Sequence, residues 1–239
     1  MPARSEGAGG RRATAGLACN EEAGTDAHLP LTDAGPGIAA ETVAAMVDGI
    51  AERGFAIARN VLPHATLAAL RKRAAALDAA GALRPAAVGR NEGRRPRADV
   101  RGDRIHWLGE APEDADEGAA LAVLDALRVA CNQSLMTGLA EYEGHYALYP
   151  PGASYARHRD RFRDDDTRVL SCVLYLNEGW RREDGGALRL YVEDGRAIDV
   201  RPDGGTLVAF LSGRFDHEVL PASRPRLALT GWFRRRPLA

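Results

Sequence analysis

The chain has 239 residues, enough for one large domain with its own core, and a formal net charge of −1, which gives no global field to attract nucleic acid. No apolar run reaches the ~18 residues that would suggest a membrane span, and the first residues lack the apolar stretch of a secretory signal. Three cysteines, Cys19, Cys131 and Cys172, form no CxxC motif, and their odd number argues against a disulfide framework and suits a reducing cytoplasm.

Residues 1–36 are rich in Gly, Ala, Thr and charge, with almost no large apolar side chains. They bury too little surface to offset ordering entropy and read as a disordered tail. The remainder, 37–239, reads as a single domain. Its first part, 37–140, supplies helical support and a substrate loop, and its second, 141–235, a β core.

Residues 38–53 have Val43, Met46, Val47 and Ile50 on one helical face, with Gly54 placed to end it. A strand follows over 55–61. Pro63 suits the first turn of a second helix running to about Ala80, with Leu67, Leu70, Ala74 and Leu77 on one side and Gly81 as its stop. Residues 84–100 show no periodicity and form a long basic loop, of the length that is usually mobile or functional. With Arg101 they read as a gate over a substrate site, its arginines suited to an acidic partner segment. The arginine clusters at 94–97 and 234–237 otherwise read as solvated charge. Residues 103–108 read as a strand. A third helix covers about 117–138, carrying Leu121, Leu124, Leu127, Cys131 and Leu135 at helical spacing.

After residue 140 short β runs follow one another, separated by Pro150-Pro151-Gly152, Asp184-Gly185-Gly186, Asp194-Gly195 and Asp203-Gly204-Gly205. This punctuation predicts a sandwich or barrel rather than a parallel Rossmann sheet. The expected class is α+β: a double-stranded β-helix, or jelly roll, with supporting N-terminal helices.

Within the run "SYARHRDRF", His158 and Asp160 stand two residues apart, a spacing that puts both side chains on one face of a strand. A metal needs a third ligand from elsewhere. Among the other histidines, His28 lies in the tail and His64 at a helix start, while His106 and His145 read as packed or hydrogen-bonded residues of strands. His217 opens a late strand, which a jelly roll brings beside an early one. Two imidazoles and a carboxylate form the facial triad of non-haem Fe(II) oxygenases.

Arg226 follows His217 by nine residues and shares a strand face with Ala228, Thr230 and Trp232. An inward arginine needs an anion. A dicarboxylate co-substrate would supply one through paired hydrogen bonds, with Thr230 adding a hydroxyl donor. An exposed position on an edge strand is the other reading of Arg226.

These features occur in an order that resembles the 2-oxoglutarate/Fe(II) dioxygenases, and within them the prolyl hydroxylases of the oxygen-sensing type and their bacterial relatives. "YPPGASYARHRD", "CVLYLN", "GGALRLY" and "HEVLPASRPRLALTGWF" each resemble a segment of that family, and "RGDRIHW" resembles its substrate entrance. The resemblance covers about residues 40–235. It implies that His158, Asp160 and His217 bind iron, and that Arg226 and Tyr175 hold the distal carboxylate of 2-oxoglutarate. It further places Tyr149, Thr230 and Trp232 around the pocket.

The activity so implied is O₂-dependent hydroxylation of a prolyl residue in a protein or peptide, with oxidative decarboxylation of 2-oxoglutarate to succinate and CO₂ and ascorbate as a reductant. Two departures bear on the substrate. Asp216 stands where the oxygen-sensing enzymes carry proline, and "RFRDDDTR" is unusually charged. A hydroxylase of a small molecule or another side chain, and a metal-binding β-barrel module without turnover, are the competing readings. A zinc hydrolase would leave Arg226 without a purpose. Nothing in the pattern implies a nucleic acid or membrane partner, and nothing fixes an oligomeric state.

Overall fold

The computed structural model describes residues 38–88, 95–161, 165–192 and 195–236. The expected N-terminal tail, 1–36, lies outside the described residues, as do 89–94 of the long basic loop.

Among the described residues, three α-helices form one layer. α1 (Ala40–Arg53) buries Met46, Val47 and Ile50, and Gly54 ends it at φ 83° with its N–H returned to the Ile50 carbonyl. α2 (His64–Ala79) starts one residue later than the sequence pattern implies, with Pro63 as N-cap rather than inside the first turn. α3 (Ala115–Leu135) starts earlier than its apolar spacing indicates, because Asp114 caps it: the Asp114 carboxylate accepts the Glu117 N–H at 2.8 Å.

The strands are β1 (Phe55–Ala58), β2 (Arg84–Pro85), β3 (Ala87–Val88), β4 (Arg95–Pro96), β5 (Arg104–Trp107), β6 (Leu139–Tyr149) and β7 (Tyr155–His158). They continue with β8 (Arg168–Tyr175), β9 (Leu188–Tyr191), β10 (Ala197–Val200), β11 (Leu207–Leu211), β12 (Asp216–Val219) and β13 (Arg226–Arg235). A seven-stranded sheet runs β1-β11-β8-β13-β6-β5-β2, and a four-stranded sheet runs β10-β9-β12-β7. All pairings are antiparallel. The long basic segment is less irregular than its sequence: β2 pairs with β5, and β3 with β4.

The larger sheet separates two apolar layers through its period of two. On β13, Leu227, Leu229 and Phe233 face the helices, where they join Met46, Leu70, Leu124 and Leu127. On β8 and β11 the same side is taken by Leu170, Cys172, Leu174, Leu207 and Ala209. The other side carries Ala228, Tyr175, Tyr149, Val208 and Phe210, which pack with Leu188, Leu190 and Val219 of the smaller sheet. Each large side chain so buried contributes roughly 1.5–3 kcal/mol. Among the described residues, no helix is long and apolar enough to cross a membrane.

Candidate active site

The smaller sheet brings the separated ligands together. β12 pairs with β7 so that His217 stands directly opposite His158. Asp160 lies two residues past the end of β7, outside the ladder, so it reaches the cluster from a turn rather than from the strand expected for it. Its Oδ1 is 3.5 Å from His158 Nε2, and its Oδ2 is 3.5 Å from His217 Nε2. One donor atom from each of the three residues falls within 4.8 Å of the other two.

The tautomers suit a cation. His158 Nδ1 donates to the Ala156 carbonyl at 2.8 Å, and His217 Nδ1 to the Phe215 carbonyl at 3.4 Å. Both Nε2 lone pairs therefore face the cluster. Tyr155 stacks on His158 at 3.5 Å between centroids, and the edge of Phe210 meets His217 at 4.7 Å. Ser171 Oγ donates to Asp160 Oδ2 at 2.7 Å and lies 2.8 Å from Ser212 Oγ. The single Ser171 proton is then spent on Asp160, so Ser212 is the donor in the second bond. Burial opposes ionisation of Asp160, but His217, His158 and Ser171 outweigh it and hold the carboxyl well below its usual range.

The remaining wall comes from β13 and its neighbours. Arg226, Ala228, Thr230 and Trp232 all line the same pocket as the triad, as their alternation requires. Arg226 is 2% exposed. Its Nε donates to the Gly186 carbonyl at 2.8 Å and its Nη2 to the Tyr175 hydroxyl at 3.3 Å. The guanidinium lies 5.2 Å from the Tyr149 ring centroid and 5.0 Å from that of Tyr175. None of these partners is anionic, and no carboxylate among the described residues forms an ion pair with it. Thr230 differs from expectation: its hydroxyl donates to the Cys172 carbonyl at 3.0 Å, so it offers the pocket an acceptor, not a donor. Trp232 lies beneath the Arg168 guanidinium at 3.5 Å.

Two groups of the pocket wall and one behind Asp160 have no individual role in the sequence pattern, which places Arg101 only within the entrance segment. His145 is buried between Trp107 and Trp232, at 4.7 and 5.6 Å between centroids. Its parity with Tyr149 on β6 was the available signal. Arg101 holds the buried Asp103 at 2.7 and 2.9 Å, covers Tyr155, and points Nη2 at His145 Nε2 at 3.4 Å. A guanidinium only donates, so Nε2 accepts and Nδ1 carries the His145 proton, without a hydrogen-bond partner among the described residues. The third is Ser171, whose bond to Asp160 no sequence spacing announces.

Residues 144–234 match the family model described as "2OG-Fe(II) oxygenase superfamily". Human prolyl hydroxylase EGLN3 is 31% identical over 189 residues, covering 76% of this chain and 79% of that protein. The chain belongs to the 2OG-Fe(II) oxygenases. Human Egl nine homolog 1 is 37% identical over 145 residues, but the match spans only 33% of that longer protein and 56% of this chain. A Pseudomonas putida prolyl-4-hydroxylase structure is 49% identical, with a TM-score of 0.74 over 82% of this chain and all of that one. A prolyl hydroxylase from Trichoplax adhaerens, solved in complex with a hypoxia inducible factor oxygen degradation domain peptide fragment, is 27% identical. It has a TM-score of 0.73 and covers 81% of this chain and 89% of its own.

Fe(II) and 2-oxoglutarate follow from membership of this 2OG-Fe(II) oxygenase family, and the donor set fits them. Two neutral imidazoles and one ionised carboxylate are the facial triad, which leaves positions open for other ligands.

Proposed function

We propose that this protein hydroxylates a prolyl residue in a protein or peptide, consuming 2-oxoglutarate and O₂ and releasing succinate and CO₂. The observation that carries the reading is the buried, carboxylate-free Arg226 in the same pocket as the triad. An unpaired interior guanidinium is costly, and a dianionic keto acid offset from the metal ligands relieves it.

In this reading His158, Asp160 and His217 hold the iron, which supplies O₂ activation and the oxidising chemistry. Arg226 receives the distal carboxylate of 2-oxoglutarate through its fork, and the Tyr175 hydroxyl donates to the same group. Tyr149 walls that end. Thr230 accepts a hydrogen bond from a water or ligand group, and Trp232 shapes the side toward the entrance. Val173, Leu188, Phe210 and Val219 line the pocket and exclude water from the reacting centre. Ascorbate serves as external reductant. One catalytic domain over 37–239 carries these groups, and the buried free thiols Cys131 and Cys172 support a cytoplasmic setting.

The relatives named prolyl hydroxylases, and the Trichoplax enzyme bound to a peptide, support a peptidyl substrate. The test incubates Fe(II)-loaded protein with cell extract and 2-oxoglutarate and maps proteins by mass spectrometry. A proline gaining one oxygen atom, matched by succinate, is the expected result. Succinate without any modified proline would refute the prolyl assignment. Arg226→Ala should weaken 2-oxoglutarate binding at least tenfold, in line with the ~2–5 kcal/mol cost of truncating one partner of a buried charge pair. Mn(II) binding should be retained, and unchanged 2-oxoglutarate affinity in equilibrium dialysis would remove Arg226 from this role.

A further inference from the structure

β7, with the two residues that follow it, is a weak carrier for His158 and Asp160. It has four residues, lies at the edge of the smaller sheet, and is in register with β12 only at His158–His217 and Tyr155–Val219, with an irregularity between them. Asp160 is beyond the ladder altogether. The next backbone tie after it is the Arg161 N–H to the Ser212 carbonyl, at 3.3 Å.

On the solvent side of the same strands, each ligand has a charged chain neighbour. Arg157 precedes His158, Arg159 separates His158 from Asp160, and Asp216 precedes His217. Arg157 donates from Nε and Nη2 to Asp216 Oδ2 at 3.2 and 3.0 Å. Arg159 meets the other oxygen, Oδ1, with Nε at 3.0 Å and Nη2 at 2.9 Å. One carboxylate thus engages both guanidinium groups, one per oxygen. Arg157 also lies 3.9 Å over the Tyr191 ring. The row continues across the sheet. Tyr191 donates to Glu218 at 2.6 Å, Glu218 is 3.8 Å from Arg189, and Arg189 forms a two-pronged bond to Asp199 at 2.7 Å. All four strands of the smaller sheet are linked on that face.

We infer that Asp216, with Arg157 and Arg159, forms a charge clamp that positions the three metal ligands from behind. Asp216 is a positioning residue: it touches neither metal nor substrate. Exposed ion pairs add little to global stability, so the clamp's effect is local and shows in how well the ligands are arranged before the cation arrives. Outer groups that orient ligands commonly alter metal affinity about 10–100-fold. Half-exposed charges belong at the lower end. The inference rests on the metal-binding reading above.

Two physical effects predict opposite outcomes for the arginines. If the cluster acted only through its net charge, removing arginines near a cation site would tighten metal binding. If it acts by holding geometry, their removal loosens it. Mn(II) affinity of the metal-free full chain, read from the free-ion electron paramagnetic resonance signal, separates the two. Asp216→Asn and the double variant Arg157→Gln/Arg159→Gln should each bind Mn(II) about tenfold more weakly than wild type. Asp216→Glu should recover most of the loss, and thermal melts of the metal-free variants should match wild type. The wild-type advantage over Asp216→Asn should shrink as salt is raised, since surface charges are screened within about 8 Å at physiological ionic strength.

Wild-type or tighter binding by the arginine double variant overturns the clamp. So does undiminished binding by Asp216→Asn. Wild-type protein binding Mn(II) no better than His158→Ala would instead refute the metal site itself. Single Arg159→Gln serves where the double variant fails to fold, with the same direction expected.

Discussion

His145 stands in the pocket as a neutral imidazole, its pKa pushed down to about 3 by burial first and then by the Arg101 and Arg168 charges. His217 is pushed down to about 4, again chiefly by burial, against the opposing charge of Asp160. The unfolded chain takes up these protons near the ordinary histidine value of 6.5 and the folded chain does not. Stability of the metal-free protein is therefore full above about pH 6.5 and declines as the pH falls toward 4. Urea melts across that window at constant ionic strength should show the decline, and His145→Met should flatten it. An unaltered slope would contradict the buried neutral assignment. At this scale the triad and Arg226 were legible in the sequence. A ligand pair at spacing two, a late histidine, and an arginine in phase with a threonine all conflict with an apolar core. Arg101 was legible only as part of the entrance segment, because nothing in its own stretch separates it from the neighbouring arginines. Only a fold that sets 101 against 155 selects it.

Elements succeed here where local chemistry agrees with nonlocal pairing. Gly54 ends α1 where the sequence places its stop, whereas Asp114 caps α3 ahead of the apolar pattern, which puts the start only near 117. Strand boundaries were less legible. β6 extends to Leu139, beyond the apolar run that announced it, because it is paired along its length with β13. That pairing brings Gly231 opposite Gly144. A Cβ at Gly231 would meet the Glu143 carbonyl oxygen, would lie 2.6 Å from the Gly144 Cα, and would press the Tyr142 ring at 2.9 Å. Two of the three obstacles are backbone and cannot rotate away. Gly231→Ala should cost about 3 kcal/mol, the upper part of the range for overpacking. Chemical denaturation of the metal-free protein measures it, and a loss under ~0.5 kcal/mol, the level of an ordinary surface substitution, would show that the two strands part more easily than their register implies.

The whole molecule couples its stability to its ligands. The three coordinating side chains meet only when the smaller sheet is formed, and the unfolded chain offers no such cluster. Metal binding should therefore raise stability by mass action, about 2.7 kcal/mol at a free concentration one hundred times Kd. Thermal melts with and without Mn(II) should show the rise, further increased by 2-oxoglutarate, and His158→Ala should abolish the metal-dependent part. An equal rise in His158→Ala would mean that the ion binds elsewhere. A β sandwich or barrel was readable from turn punctuation after residue 140, and the family resemblance narrowed it to a jelly roll. The recruitment of β1, β2 and β5 into the larger sheet was not, since those pairings join residues far apart in the chain and leave no local trace.

The two-sided larger sheet divides labour along a single strand. Odd-numbered positions of β13, such as Leu227 and Leu229, answer to the helices, while even-numbered positions, such as Ala228 and Thr230, answer to whatever enters the pocket. Selection can therefore rewrite what the enzyme accepts through alternate codons while the intervening ones keep the scaffold intact. Tolerance and innovation are then interleaved along one β-backbone rather than competing for the same sites.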